Sequence, residues 1–193
     1  MDNPILSAPN YGEESYQIEE FLELKQRNSF IKGVERMVRT SEEYKRWRSF
    51  VRGALSEKFV CYKTGESSDS CSIELHHHPF TLFEIVLTSL DTFKTFSSFD
   101  IATYVMKLHF ENKVGFIPLS VTSHEKFHNK FIGIPIDIVE GDWESFVNKY
   151  TLDEHLITKL QSNMSINLTN CMDDWYMKSK NYLLKDDSDD RSF

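Results

Sequence analysis

Five of the seven histidines fall in two groups, His76-His77-His78 and His124-x-x-x-His128. The second pair has the i, i+4 spacing that puts both imidazoles on one side of a helix, one turn apart. That geometry suits two ligands of one transition metal. The first group has no packing rationale, because three consecutive histidines ahead of Pro79 have neither strong β-propensity nor low cost of burial. Its position inside the chain excludes a purification tag. If the two groups converge, they make a site with three or more imidazoles.

The elements around these groups follow from apolar period and turn chemistry. Ser15 to Ser56 has a helical pattern, with one stripe at Ile18, Phe21, Leu22 and Leu24 and another at Ile31, Val34 and Val38. Thr40-Ser41-Glu42-Glu43 predicts a helix start with Thr40 or Ser41 as cap, followed by Tyr44, Trp47, Phe50, Val51 and Leu55 at helical spacing. Lys45, Arg46, Arg48 and Arg52 read as the solvated face of that helix, with a phosphate-binding patch as the alternative. After Lys58 the period changes. Phe59–Lys63 and Cys71–His76, separated by the turn-forming Thr64–Ser70, predict a β-hairpin whose second strand runs into the histidine triplet. Helices are expected over Thr81 to about Phe93 and about Phe99 to Asn112, the second capped by Ser98. The apolar run Val114–Leu119 then leads through Thr122 into a helix carrying His124 and His128. Beyond it the pattern predicts a strand at Phe131–Ile138, an aromatic helix around Trp143–Tyr150, a helix at Leu152–Gln161, and one more within Asp173–Leu184.

The text IELHHHP followed by VGFIPLSVTSHEKFH resembles the ββα-metal (His-Me finger) motif of HNH nucleases: a strand ending in histidines, a connecting loop, a second strand, and a helix with H-x-x-x-H. The resemblance covers about Val60 to Asn129. It implies His76 as the strand-end metal ligand, His77 as the general base that deprotonates water, and His124 and His128 as helical ligands. Strict alternation puts Glu74, His76 and His78 on one face of the strand, so His76 and His78 could instead be the ligand pair, or His78 the base. The implied cofactor is one divalent ion, zinc or magnesium, manganese or nickel, and the implied activity is hydrolysis of phosphodiester bonds, of DNA before RNA. Such chemistry needs an activated water opposite a cation that neutralises the transition-state oxygens, and imidazole is a competent base near neutral pH. The asparagine that orients the base in that family has its expected place near Gly115, while the nearest asparagine is Asn112. The loop between the strands is expanded and holds two predicted helices, at little entropic cost because closure grows logarithmically with length.

The expected class is α+β, mostly helical, with a central ββα-metal element carrying a helical insertion. Residues 1–57 form an N-terminal helical region, 58–130 the HNH-like core with its insertion at 80–113, 131–185 a mainly helical region and 186–193 an acidic tail. With 22 basic and 30 acidic residues the net charge is −8, which repels nucleic acid at long range and leaves a protein partner as an alternative to DNA. The 15 Phe, 8 Tyr and 3 Trp exclude a disordered chain. No apolar run is long enough to span a membrane and no signal peptide is visible, so a cytoplasmic setting is expected. Phe-, Lys- and Asn-rich usage suits a bacteriophage protein, which would act in the host cytoplasm. Cys61, Cys71 and Cys171 are too few for a secreted disulfide scaffold. Cys61 and Cys71 could pair or bind metal, and read first as small buried hydrophobes.

His109 reads as an ordinary helix-end residue, His155 as a surface one, and Glu125 as a solvated residue with a place behind a ligating imidazole as the alternative. There is no phosphate-binding glycine loop, G-x-S-x-G or C-x-x-C. Two further functions compete with the nuclease. One is a zinc-stabilised protein-interaction module, a phage accessory or host-modifying factor, without catalysis. The other is a helical binding protein with incidental histidines.

Overall fold

Ile31, Val34 and Val38 share one face of a helix and are fully buried. They anchor α1 (Leu24–Thr40) in a computed structural model that describes residues 15–17, 23–149 and 158. The helix predicted from Ser15 therefore starts later. Tyr16–Gln17 form a short strand, β1, and Leu24 is exposed. The predicted helices at 152–161 and 173–184, His155 and Cys171 lie outside the described residues, as do the remaining residues of the first stripe. At the next junction Ser41 ends α1 and caps α2 (Glu42–Leu55): its hydroxyl donates to Val38 O (2.8 Å) and accepts from Tyr44 N–H (3.1 Å). Tyr44, Trp47 and Val51 line the buried face of α2, whereas Phe50 is exposed. Lys45, Arg46, Arg48 and Arg52 are exposed, as a solvated face requires.

Strand β2 (Ile73–His77) does not pair with residues 59–63. That predicted hairpin is replaced by a tight loop in which Cys61 N–H donates to Glu66 O and Gly65 N–H to Cys61 O, both at 2.7 Å. Gly65 takes φ +74, which favours glycine, and only a single bridge, Val60 to Ser67, survives. The partner of β2 is β4 (Phe116–Ser120), antiparallel, with Leu75 opposite Pro118, His76 opposite Ile117 and His77 opposite Phe116. Every residue of β4 is buried, so this run needs cover on both faces, and β2 borders the same two apolar layers. Between the two strands lie α3 (Leu82–Leu90), β3 (Thr95–Phe96), which pairs with β1, and α4 (Ser98–Phe110). Capping boxes start both helices: Thr81 with Glu84, and Ser97 (not the expected Ser98) with Asp100.

α1 packs against α3 and α4, so the insertion shares the main core with the N-terminal helices. The strand pair divides that core from a smaller apolar cluster of Ile117, Leu119 and Ile134, edged by Tyr62, Phe127, Ile138 and Val139. α5 (Val121–His128) follows β4 without a break, because Ser120 is both the last strand residue and the helix cap. The predicted strand at Phe131–Ile138 is absent. Pro135 cannot donate to a ladder, residues Ile136–Ile138 form a 3-10 turn instead, and Glu140 makes the bridge to Phe116. α6 (Trp143–Lys149) follows. The class is α+β, as expected. Among the described residues no helix is long and apolar enough to cross a membrane.

Gly115 sits where these pieces meet. A Cβ there would stand 2.0 Å from the carbonyl oxygen of His78 and 2.9 Å from Val139 Cγ1. The position aligned with the family's orienting asparagine therefore admits no side chain, and Asn112 lies instead in the turn after α4, with φ 59 and its carbonyl accepting from Asp142 N–H. Gly115→Ala is expected to lower stability by about 3 kcal/mol, the upper part of the range for overpacked cores. Urea unfolding checks it, and an unchanged midpoint contradicts the packing described.

Candidate metal centre

The alternation of β2 sorts the histidine triplet. His76 faces α5, and the helical pair comes back to meet it: His76, His124 and His128 each offer a ring nitrogen, and the three nitrogens lie within 4.8 Å of one another. The rings of His124 and His128 are 4.7 and 5.1 Å from that of His76, centre to centre. His124 Nε2 and His128 Nε2 are 3.0 Å apart. Two nitrogens bound tetrahedrally to one zinc ion at about 2.0–2.1 Å stand about 3.3 Å from each other, so this pair is close to the separation a shared cation imposes. His76 Nε2 is buried with no hydrogen-bond partner, an arrangement that is costly unless something coordinates it. The residues fit a divalent ion. His76 is buried, His124 half-buried and His128 exposed, so the cluster opens to solvent along α5.

The surroundings of His76 and His128 disfavour the charged imidazolium. Burial, then the neighbouring His124, His78 and His128 and the Arg39 guanidinium, push His76 down to about 2. Burial first, then His124 and Arg39, lower His128. Glu74, on the same strand face as His76, accepts a hydrogen bond of 2.6 Å from His124 Nδ1. With the proton on Nδ1, His124 Nε2 carries the lone pair and accepts from His128 Nε2–H. The carboxylate behind this candidate ligand is Glu74, while Glu125 is exposed.

His77 is not brought to the cluster. It faces the opposite side of the strand, fully buried against Tyr44 and Trp47 (ring centres 6.2 and 6.0 Å). His77 Nε2 lies 2.9 Å from His109 Nε2, and His109 Nδ1 lies 2.7 Å from Val105 O. His109 donates to that carbonyl from Nδ1, so its Nε2 accepts from His77. Burial holds His77 well below the ordinary imidazole range; it also lowers His109 to about 4 against the opposing bond to Val105. The sequence reading of His109 as a helix-end residue missed this pair. Its place on the buried stripe with Ile101, Val105 and Leu108 was the available signal, but its partner sits 32 positions away.

His78 is on the cluster's side. Its ring is 6.3 Å from that of His76 and 5.5 Å from Phe127, whose ring also touches His76 and His128. Burial lowers it to about 4, opposed by its hydrogen bond to the Ile134 backbone. Cys61 is buried beneath the start of α5, 3.4 Å from the hydroxyls of Ser120 and Ser123, and neither it nor Cys71 forms a disulfide.

A protein-family model described as bacteriophage G278-like virion protein matches residues 5–190. No curated protein and no solved structure matches the chain.

His76, His77, His78 and His109 all titrate below the ordinary 6.5 when folded. The unfolded chain takes up protons that the native one refuses, so their contribution to stability is complete above about pH 6.5. It falls as the pH drops through about 4, where His78 and His109 titrate. Each imidazole kept neutral is expected to cost about 1.4 kcal/mol per pH unit in that window. Metal-free protein should therefore hold its urea midpoint from pH 8 to 7 and lose it steeply by pH 5; a flat profile across that span contradicts the burial described.

Proposed function

We propose that this chain, which belongs to the bacteriophage G278-like virion protein family, is a metal-dependent endonuclease of the HNH kind that hydrolyses phosphodiester bonds of DNA. The convergence of His76, His124 and His128 from a strand pair and the helix that follows it carries the reading. Three protein ligands and an approach from solvent are the features of a catalytic site, whereas structural zinc sites are closed by four. An all-imidazole donor set favours zinc or nickel over magnesium or manganese, whose preferred ligands are oxygens. A divalent cation there supplies Lewis-acid stabilisation for the charge that develops on the phosphate.

The proton acceptor on this reading is His78. It is the non-ligand imidazole on the cluster's side of the strand, it is unprotonated at neutral pH, and a backbone carbonyl orients its ring as an asparagine would. His77, the base implied by the sequence resemblance, acts instead as a positioning residue that locks β2 to α2 and α4 through Trp47 and His109. That same locked pair favours a second reading, in which the metal holds a protein-interaction module and nothing is cleaved.

Purified protein should retain about one equivalent of zinc or nickel, and the double variant His124→Ala/His128→Ala should lose it. Metal-loaded protein is expected to nick DNA, and His78→Gln should slow nicking about 10²–10⁴-fold while keeping the metal. Loaded protein that leaves single- and double-stranded DNA intact with zinc, nickel, manganese and magnesium would overturn the nuclease reading. Unfolding on chelation would then support the module.

A further inference from the structure

Glu74 is the one carboxylate that touches the candidate ligands among the described residues. It projects from the strand face that carries His76 and crosses to α5, where its Oε2 stands 2.6 Å from His124 Nδ1. The two residues are 50 positions apart in sequence, so the contact exists only because β2 and α5 are neighbours. The side chain of Glu74 is 42% exposed. An exposed ion pair would contribute little to stability, so the contact has little value as a fold-holding bridge. Its chemical value lies elsewhere. A carboxylate on Nδ1–H fixes which ring nitrogen carries the lone pair, holds the ring plane, and raises the basicity of the coordinating nitrogen.

We propose that Glu74 is the positioning residue of the metal centre: it selects the His124 tautomer whose Nε2 faces His128 and His76, and so sets the affinity for a late transition-metal ion. The inference rests on the three-histidine centre proposed above and deepens it. With the proton of His124 committed to Glu74, its Nε2 keeps a lone pair toward the cluster, and ion binding then requires only that His128 carry its proton on Nδ1. The negative charge one ring away from the ion also offsets part of the double positive charge that three neutral imidazoles leave uncompensated. Glu125, on the exposed face of α5, does neither.

The test is zinc affinity by competition with a chromophoric chelator, together with the visible spectrum of the cobalt-substituted protein, on the full chain. Wild type should bind one equivalent. Glu74→Gln keeps an oxygen acceptor without the charge and should bind about 10-fold more weakly; Glu74→Ala should bind about 100-fold more weakly, with a shifted cobalt spectrum. Melting temperatures of the metal-free variants should stay close to wild type, which a merely structural role for the contact would not predict. If Glu74→Ala fails to fold, the Gln variant carries the comparison. Wild-type affinity and an unchanged cobalt spectrum in the variants overturn the role of Glu74 while leaving the three-histidine centre intact. A wild type that binds no zinc or cobalt overturns both.

Discussion

The pleat of a single five-residue strand separates two kinds of histidine chemistry. Because successive side chains of β2 point to opposite faces, His76 and His77 cannot do the same work while both stay in the ladder with Ile117 and Phe116. His76 is delivered to the layer under α5, where two more imidazoles wait and its Nε2 has no other partner. His77 is delivered to the helical core, where His109 is its hydrogen-bond partner. A one-residue slip in register would exchange the two and leave a lone imidazole facing each set of partners. The apolar demands of Phe116 on one side and Ile117 and Leu119 on the other oppose such a slip.

Burying imidazoles costs free energy unless they are neutral and bonded. The core meets that condition on the His77 side by a chain that ends on a backbone carbonyl: His77 donates to His109, and His109 donates to Val105 O. Trp47 contacts both rings, edge-on to His109 and stacked with His77, which ties α2 into the same unit. The cluster side meets the condition differently. Glu74 and the His124–His128 contact satisfy two of the rings, and the third is left with a bare nitrogen. One side of the strand is finished as it stands. The other keeps one buried ring nitrogen, His76 Nε2, without a hydrogen-bond partner.

Much of this was legible in the sequence, and what was not has identifiable causes. Helix faces were readable wherever one stripe decides burial, as with Ile31, Val34 and Val38 or Tyr44, Trp47 and Val51. The histidine spacing announced the cluster, since i, i+4 on a helix is a local property. Strand pairing was misread because Phe59–Lys63 and Cys71–His76 flank a turn, and a local hairpin is the shorter closure. The buried run at 116–120 competed for β2 from the far side of two helices, which no local pattern reveals. That His77 lies away from the cluster has a related cause. Resemblance aligns positions along a chain, and the face on which a residue lands is decided by register.

The long insertion, which looks like an interruption of the site, ties its strands to the main core. Separating β2 from β4 by two helices adds little closure entropy. Those helices pack on α1, so both strand ends emerge from a common core. The second half of the cluster is fixed just as tightly, because Ser120 ends β4 and caps α5 in one residue, leaving no loop to flex between the sheet and His124. Ligands carried on a strand and a helix, with no flexible loop between them, hold their geometry before the ion arrives. A centre assembled this way loses little conformational freedom on binding. On the proposed metal reading, affinity would then be governed by the ligand nitrogens themselves, above all the His124 Nε2 that lies across the ring from the proton Glu74 holds.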